Sequence, residues 1–397
     1  MAHHTYCPFA CTADISSTEQ LFPICNSSLI SIFSLFFVPS NSSTKQFSSM
    51  VDVPTKMQYV NLGSTGLKVS RICAGCMGYG DPRWTEWAIQ EKYAIELIGE
   101  IYKRGINFFD TANCYSNGQS EIILGKAIKQ LNMSRGRIVI ATKAALAVPD
   151  DMSFNPAPRD DPNFVNRFGT SRKHLFDAVD ASLKRLDLDY IDLYQIHRFD
   201  DDIPLEETMR ALHDIVQSGK VRYIGASSMP AWKFQKANQI AEKNGWTKFV
   251  AMQNLYNLIY REEEHEMMPY CMDAGVAVIP WSPLAAGTLT RKREVKTSRT
   301  GNAKWFEETF MKTREQKDND MIVDEVLAIA EKRGVSAAQV ALAWNLSKPY
   351  VTAPIVGITK IKHLDDLIEG LDLELTKEEI EALEKNYAPR EGMPFTF

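Results

Sequence analysis

Several features are scarce in this chain of 397 residues, and each scarcity excludes a class of protein. The apolar run near the N-terminus, "LISIFSLFFV" at 29–38, is about half as long as the ~20 residues of a membrane-spanning helix. A secretory signal carries a positive segment before its apolar core, yet no Lys or Arg precedes Lys45. The 45 Lys and Arg do not outnumber the 50 Asp and Glu, so the net charge of -5 predicts no binding to nucleic acid or membrane surfaces.

The first 56 residues differ in composition from the rest of the chain. They are rich in Ser and almost without charge, so we expect a poorly ordered extension, with Met50 or Met57 as an alternative start. Residues 57–397 are then expected to form one domain. The seven cysteines are odd in number and spread along the chain, which favours reduced thiols and a cytoplasmic location.

Regular patterning begins at Met57, where "MQYVNLGSTGLKVS" predicts a β-hairpin around a Gly-Ser-Thr-Gly turn. Short apolar or β-branched runs then alternate with longer segments of helical period. The predicted strands are "RICAG", "INFFDTA", "RIVIATK", "YIDLYQIH", "VRYIGASS", "FVAMQN", "VAVIPWS" and "APIVG". The predicted helices between and after them cover 91–104, 119–131, 172–186, 205–218, 231–244, 262–274, 320–333 and 337–346.

Repeated βα units predict an α/β protein with a parallel sheet covered by helices. Eight units over roughly 300 residues favour a (β/α)8 TIM barrel over an open doubly wound sheet. The hairpin would plug one end of the barrel, and extra helices over 361–370 and 377–386 would lie outside it. Two long irregular stretches, 146–171 and 284–319, leave from predicted carboxyl ends of strands, where barrels place their active sites.

Polar residues interrupt the apolar pattern at the predicted strand ends. Asp110, Lys143 and His197 end the second, third and fourth barrel strands, and Tyr115 lies in the loop after the second. Taken singly, Asp110 could cap a turn, Tyr115 could cover the core, and His197 could be a hydrogen-bonded strand end. A buried Lys143 without a counter-charge would cost several kcal/mol, and Asp110 on the neighbouring strand would supply that charge.

This combination of side chains suits proton transfer. A phenol has a reference pKa of ~10, and a nearby ammonium favours the phenolate and lowers that pKa. Lys143 paired with Asp110 would hold Tyr115 ready to protonate a developing alkoxide, while His197 would hydrogen-bond the same oxygen. Cys114, inside the same motif, is interpreted as a space-filling residue rather than a nucleophile.

The implied hydride source does not come with the usual dinucleotide fingerprint. The glycine cluster at 75–80 has the spacing GxxGxG, and no GxGxxG opens a helix after a strand. Other strand ends offer suitable groups: Ser227, Ser228 and Gln253 could bond a carboxamide, and Trp281 could stack on a flat ring. In "GITKIKHLDDL", Lys360 and Lys362 lie at a helix start that could hold phosphate.

The segments "INFFDTANCYSNGQSEIILGKAI", "IVIATK", "DYIDLYQIHRFD", "VRYIGASS", "MQNLYNLI" and "IPWSPLAAGTL" make residues 57–390 resemble the aldo-keto reductases. The resemblance implies that Asp110, Tyr115, Lys143 and His197 form the family's catalytic tetrad, with Tyr115 as general acid. It also implies NADP(H) as cofactor. The residues implied to bind it are Ser227, Ser228, Gln253, Trp281, Ser282, Pro283, Leu284, Gly287, Gly357, Thr359, Lys360, His363 and Asp366.

The start "CMGYGDPRW" and the long loops resemble the fungal aryl-alcohol dehydrogenase branch, which includes secondary-metabolism reductases of versiconal-type hemiacetal acetates. The expected substrate is therefore an aromatic or polyketide-derived aldehyde or ketone. Specificity is expected from the loops that carry Trp84, Trp87, Phe154, Phe164, Phe168, Trp305, Phe306 and Phe310, although these rings could equally pack the loops onto the barrel.

Two alternatives of other classes stay open at this point. A non-catalytic NADPH-binding subunit, as in the channel β-subunits of this fold, would keep the barrel and signal by interaction. A metal hydrolase could use His197 with Asp200, Asp201 and Asp202, but adjacent aspartates more often form a solvated turn, and we expect no metal. Whether the protein is a monomer or a homo-oligomer is open.

Overall fold

The computed structural model describes residues 56–152, 157–292, 295, 316–390 and 392 of the chain. The expected N-terminal extension, its apolar run, and Phe154, Trp305, Phe306 and Phe310 lie outside the described residues. The domain boundary at residue 57 stays a prediction.

The strands form a small hairpin and a barrel. Strands β1 (Tyr59–Asn61) and β2 (Lys68–Ser70) pair antiparallel. The barrel strands are β3 (Cys73–Gly75), β4 (Phe108–Asp110), β5 (Val139–Ala144), β6 (Ile191–Ile196), β7 (Val221–Ser227), β8 (Phe249–Gln253), β9 (Ala277–Val278) and β10 (Ile355–Gly357). They form one eight-stranded sheet in the order β10-β3-β4-β5-β6-β7-β8-β9, with each neighbouring pair parallel.

The two ends of this sheet meet and close the barrel. Parallel bridges join Val278 to Val351 and Trp281 to Ile355, so the β9 edge lies against the β10 edge. Closure leaves these strands without an unpaired edge. The predicted (β/α)8 barrel with an N-terminal hairpin is confirmed.

The helices follow the strands as predicted. They are α1 (Glu91–Lys103), α2 (Gln119–Gln130), α3 (Arg172–Leu186), α4 (Leu205–Gln217), α5 (Ala231–Lys243), α6 (Met267–Asp273), α7 (Gln316–Arg333), α8 (Ala337–Ser347), α9 (Ile361–Glu369) and α10 (Lys377–Glu384). Capping boxes at Ser336 and Thr376 satisfy backbone N–H groups at the starts of α8 and α10.

One predicted helix is divided. The segment expected as a single helix over 262–274 forms a 3-10 turn, Glu262–Glu264, followed by α6. Pro269 explains the break, because a proline lacks the N–H that would bond residue 265 and its ring clashes with that carbonyl.

The sheet residues alternate between two apolar layers. Phe108, Val139 and Leu193 belong to the barrel interior, whereas Phe109 and Ile140, one position along, belong to the layer that packs against the helices. This alternation has the two-residue period of an extended strand. It follows that every second residue of each barrel strand points inside.

The hairpin closes the amino end of the barrel. Leu62 and Val69 join the interior apolar cluster, and Ser64 N–H donates to the Gly275 carbonyl at 2.8 Å. The Arg71 guanidinium donates to the Val351 carbonyl, just before the last strand, at 2.6 Å. With one end plugged by apolar side chains, polar interior residues are left for the carboxyl end.

Candidate active site

The carboxyl end of the barrel interior carries polar side chains. Continuing the alternation beyond the apolar interior residues brings Asp110 inside on β4, Lys143 on β5 and Gln195 on β6. Ser227 and Gln253 end β7 and β8, and these two are paired across the sheet. His197 follows β6, where its N–H bonds the Ala144 carbonyl at 2.8 Å. The two-residue period of the strands therefore places these polar side chains together at the carboxyl end of the barrel.

Asp110 and Lys143 form a fully enclosed ion pair. The Lys143 Nζ lies 2.6 Å from Asp110 Oδ2, and the side chains of Lys143 and Asp110 are 0% and 3% exposed. Nζ also donates to the Thr111 carbonyl at 2.8 Å. Burial acts to lower the pKa of Lys143, but the Asp110 carboxylate and the Tyr115 hydroxyl outweigh it and raise that pKa. Lys143 is therefore an ammonium at neutral pH.

The other carboxylate oxygen of Asp110, Oδ1, accepts hydrogen bonds from two side-chain amides. Gln253 Nε2 donates to Asp110 Oδ1 at 2.9 Å, and Gln195 Nε2 donates to the same atom at 3.3 Å. Gln253 Nε2 also lies 3.2 Å from Gln195 Oε1. Gln195 is absent from the predicted site, although its position two residues before His197 on one strand was a usable signal. Gln253, predicted for the cofactor carboxamide, has its NH2 directed towards the ion pair.

Tyr115 reaches the same ion pair from a loop. It begins a 3-10 turn, Tyr115–Gly118, and its hydroxyl lies 3.5 Å from Lys143 Nζ. Its ring meets the His197 ring edge-on with centroids 5.6 Å apart. The predicted convergence of these side chains is therefore present, while their catalytic roles stay predictions.

The pKa of Tyr115 departs from the sequence expectation. Burial raises the pKa of Tyr115 to about 12, and the Lys143 ammonium opposes that rise without overcoming it. The expected direction of the lysine's effect is right, but the expected net lowering is wrong, because removal of the phenolate from water outweighs one neighbouring charge. Tyr115 is consequently protonated at neutral pH.

His197 is neutral and lies beside a thiol. Burial lowers the pKa of His197 well below its ordinary value, and the Lys143 and Arg198 charges lower it further. Cys114 Sγ lies 3.6 Å from His197 Nδ1. Burial raises the pKa of Cys114 to about 12, so it is a thiol at neutral pH. That supports packing and hydrogen bonding for Cys114 rather than nucleophilic attack.

The glycine cluster at 75–80 serves packing. A Cβ on Gly80 would lie 2.0 Å from Ser116 Oγ and 2.3 Å from Ser116 Cβ. Ser116 follows Tyr115 directly, has a left-handed φ of 49°, and accepts a hydrogen bond from Asp81 N–H at 3.0 Å. The loop after β3 is thus fastened to the turn that carries Tyr115.

The residues predicted to hold a nicotinamide cluster at the ends of β7, β8 and β9. Ser227 Oγ donates to the Gln253 carbonyl at 2.8 Å, and Trp281 Nε1 donates to Ser228 Oγ at 3.3 Å. Trp281 is partly exposed. The two hydroxyls and the indole face suit a nicotinamide carboxamide and ring, whereas the Gln253 NH2 is engaged at the ion pair.

The predicted phosphate and adenosine residues leave from adjacent strand ends. Ser282, Pro283, Leu284 and Gly287 follow Trp281, which bridges Ile355 of β10. The second segment begins at Gly357, the last residue of β10, and runs through Thr359 and the exposed residues Lys360, Lys362 and His363 at the start of α9.

Partial desolvation of its ring and the Lys360 charge lower the pKa of His363, so His363 is mostly uncharged at neutral pH. Asp366 is engaged elsewhere: its carboxylate accepts from Ser336 Oγ at 2.7 Å, at the cap of α8.

The family model for the Aldo/keto reductase family matches residues 71–388 of the chain. The chain belongs to the aldo-keto reductase family. It is therefore an oxidoreductase that acts on carbonyl and CH–OH groups, and aldo-keto reductases use NADH or NADPH. The resemblance inferred from the sequence motifs is confirmed.

Several relatives of this aldo-keto reductase come from fungi. The versiconal hemiacetal acetate reductase of Aspergillus parasiticus is 48% identical over 339 residues, covering 84% of this chain and 98% of that protein. The aldo-keto reductase AMT2 of Alternaria alternata is 45% identical over 361 residues, covering 88% and 95%. A Saccharomyces cerevisiae protein assigned as aryl-alcohol dehydrogenase AAD16 is 38% identical over 339 residues, covering 84% and 98%.

The residues of the metal-hydrolase alternative have other partners in this aldo-keto reductase. Arg159 lies 3.1 Å from Asp200 and 3.5 Å from Asp202, and Lys233 pairs with Asp201. Within the described ranges, no group of three or more His, Cys, Asp or Glu side chains could hold a metal ion.

Cys73 and Cys76 have the spacing C-x-x-C, an exception to the interpretation of the cysteines as spread along the chain. Both thiols are free, and they belong to opposite layers of the sheet. Side chains that point to opposite layers diverge, and cysteines whose Cβ atoms point apart cannot be bridged. The pair is therefore no redox motif.

Gly80→Ala should lower kcat for carbonyl reduction while leaving Asp110, Tyr115, Lys143 and His197 in the chain. The added methyl must displace Ser116 and with it Tyr115, and a shift near 1 Å can cost about 100-fold in rate. Gly78→Ala is the matched control, because its Cβ would lie 3.5 Å from the Trp87 ring, an ordinary contact. Steady-state kcat for both variants, with circular dichroism to check folding, tests this; equal kcat in both would contradict it.

Proposed function

We propose that this aldo-keto reductase uses NADPH to reduce an aromatic or polyketide-derived aldehyde or ketone to the alcohol, with Tyr115 as proton donor. One observation carries the proposal. The Lys143 ammonium, held by Asp110 at 2.6 Å, lies 3.5 Å from the Tyr115 hydroxyl at the open end of the barrel.

The protonation states suit a reduction. Tyr115 keeps its proton at neutral pH, and an alkoxide is a stronger base than a phenolate, so the proton passes from Tyr115 Oη to the oxygen of the reduced carbonyl. The phenolate left behind lies beside the Lys143 ammonium, which stabilises it. Asp110 keeps that ammonium in place and charged.

His197 supplies a neutral hydrogen bond. The Cys114 thiol lies 3.6 Å from His197 Nδ1 and can donate to it. That contact favours the tautomer with the proton on Nε2, which can donate to the carbonyl oxygen of the substrate. The neutral ring orients the carbonyl without competing with Tyr115 as the acid.

A bound nicotinamide dinucleotide supplies the hydride. Ser227, Ser228 and Trp281 suit its nicotinamide end. The exposed lysines Lys360 and Lys362 at the N-terminus of α9 suit its phosphates, because a helix start presents unpaired N–H groups and positive potential. The same two charges favour a 2′-phosphate, so NADPH is the proposed cofactor.

The aromatic side chains near Tyr115 support an aromatic substrate. The Trp84 ring lies 6.5 Å from the Tyr115 ring and 6.4 Å from the Trp87 ring. Phe164 and Phe168, in contrast, pack on each other within the loop after β5, in a small cluster with two alanines. The relatives named as versiconal hemiacetal acetate reductase and aryl-alcohol dehydrogenase agree with this class.

A cytoplasmic location is also proposed, because the four cysteines among the described residues are free thiols. In the part of the chain that the structure describes, no helix is both long and apolar enough to cross a membrane. The alternative of a non-catalytic NADPH-binding subunit is not favoured, since the named relatives are reductases and dehydrogenases.

Tyr115→Phe should lose carbonyl reduction while still binding NADPH. The substitution removes the hydroxyl that donates the proton, and loss of a general acid lowers the rate about 100- to 10,000-fold. Turnover of nitrobenzaldehyde and quenching of protein fluorescence by NADPH measure the two properties separately. Full activity in this variant would overturn the role of Tyr115.

Lys143→Met should raise the apparent pKa of the acid step. Lys143 lowers the pKa of Tyr115 and Asp110 raises it, so the variant loses the lowering charge and keeps the raising one. The alkaline fall in kcat should therefore move to higher pH. Asp110→Asn combined with Lys143→Met should move it less, because the raising charge is also removed. If the pH profile of kcat is the same in all three proteins, Lys143 does not influence the pKa of Tyr115 in the acid step.

The cofactor and substrate classes predict a specific order of activities. The kcat/KM should be about tenfold or more higher with NADPH than with NADH, as expected for a charge-assisted hydrogen bond to the 2′-phosphate. Aryl aldehydes and polyketide ketones should be better substrates than alkyl aldehydes of equal size. Replacement of both Lys360 and Lys362 by Ala should remove most of the NADPH preference; equal activity with both cofactors in the unaltered protein would contradict it.

A further inference from the structure

A buried carboxyl group lies behind the proposed nicotinamide end of the site. Glu263, in the 3-10 turn before α6, is 6% exposed. Its Oε2 accepts a hydrogen bond from Asn254 Nδ2. Neither residue belongs to the tetrad, and neither was predicted as part of the cofactor site.

Asn254 connects this carboxyl group to two candidate cofactor residues. Its side-chain Oδ1 accepts from Ser228 N–H at 3.2 Å, and its backbone carbonyl accepts from Trp281 N–H at 2.9 Å. Asn254 itself has no exposed surface. One asparagine therefore holds the backbone of both the serine and the tryptophan.

Ser228 is held in an unfavourable conformation. Its φ of 47° is left-handed, which costs a non-glycine residue about 1–2 kcal/mol and persists only where the surroundings enforce it. In this conformation Ser228 Oγ accepts from Trp281 Nε1 at 3.3 Å. The chain of contacts thus runs from Glu263 through Asn254 and Ser228 to the indole.

The Glu263 carboxylate favours one of the two orientations of the Asn254 amide. An ionised Glu263 can only accept, so it selects the Asn254 orientation that directs Nδ2 towards it and Oδ1 towards Ser228 N–H. In the opposite orientation, Asn254 Oδ1 would face the Glu263 carboxylate, and both are acceptors. Asn254 Nδ2 would face Ser228 N–H, and both are donors. Ser228 N–H can only donate and favours the same orientation, so Glu263 and Ser228 hold the Asn254 amide from its two sides.

Stability alone does not explain a carboxyl group at this position. Burial raises the pKa of Glu263 to about 7, while the Asn254 hydrogen bond opposes the rise and the Glu262 carboxylate adds to it. A raised pKa means that ionisation of this group destabilises the fold above pH ~4.5, its unfolded value. A neutral acceptor would avoid that cost.

We propose that Glu263 is a positioning residue for the nicotinamide end of the cofactor site, acting through the orientation of Asn254 on Ser228 and Trp281. This inference rests on the proposed use of a nicotinamide cofactor. Glu263 touches neither cofactor nor substrate in this assignment; it sets the conformation of the residues that do.

The first test compares two substitutions with matched controls. Glu263→Leu should raise the equilibrium dissociation constant for NADPH about tenfold, because the buried Asn254 NH2 loses its acceptor and one of the two contacts that orient it, while the KM for the carbonyl substrate changes little. Glu263→Gln keeps an acceptor and should restore most of the affinity. Glu266→Leu and Glu266→Gln are the controls, since Glu266 is exposed and its side chain makes no cap hydrogen bond.

Fluorescence titration with NADPH measures the affinity. The difference in tryptophan emission between cofactor-free proteins with and without Trp281→Phe isolates the Trp281 indole from the other six tryptophans and reports its environment independently of turnover. A folded Glu263→Leu variant with unchanged affinity and emission would overturn the inference. If the unaltered protein neither binds NADPH nor reduces carbonyls, the proposed function fails instead, so the two failures are distinguishable.

A reciprocal exchange keeps the inference testable if Glu263→Leu does not fold. Asn254→Asp alone places two carboxylates together and should weaken NADPH binding. Asn254→Asp with Glu263→Gln exchanges donor and acceptor, so the new amide at position 263 donates to the new carboxylate at position 254. The second oxygen of that carboxylate still accepts from Ser228 N–H. Recovery of NADPH affinity in the double variant supports the inference, and a double variant as weak as Asn254→Asp alone overturns it.

Discussion

Two opposite charges, the Lys143 ammonium and the Asp110 carboxylate, lie 2.6 Å apart at the open end of the barrel with almost no exposed surface. Removing each charge from water costs several kcal/mol, so the pair persists only where further hydrogen bonds complete it. The Thr111 carbonyl accepts a hydrogen bond from the ammonium, and the amides of Gln195 and Gln253 donate hydrogen bonds to the carboxylate. These contacts come from several strands, so the ion pair ties the barrel end together.

The protonation states around the ion pair follow from its presence and from burial. The Lys143 charge helps keep His197 neutral and moderates the rise in the pKa of Tyr115. The result is one cation, one phenol and one neutral imidazole within a few ångströms. Such a set can donate a proton and stabilise the anion left behind, which is the chemistry that a carbonyl reduction requires.

A second layer of contacts positions the residues that surround this centre. Gly80 allows Ser116 to pack closely and so fixes the turn that begins with Tyr115, while Asn254 fixes Ser228 and Trp281. Ser116 and Ser228 both have left-handed backbone conformations, which a fold keeps only when its surroundings enforce them. The strained positions thus adjoin the proposed proton donor and the proposed nicotinamide site.

Local sequence patterns determined the order of strands and helices, the hairpin and the barrel end at which Asp110, Lys143 and His197 meet. Periods of 2 and 3.6 residues are local properties, and parallel strands bring their carboxyl ends to one side. Only the tertiary structure decided the direction of the Tyr115 pKa, the role of Gln195 at Asp110, and the link from Glu263 to Asn254. Those features depend on desolvation and on distances between segments remote in the chain, which no local pattern encodes.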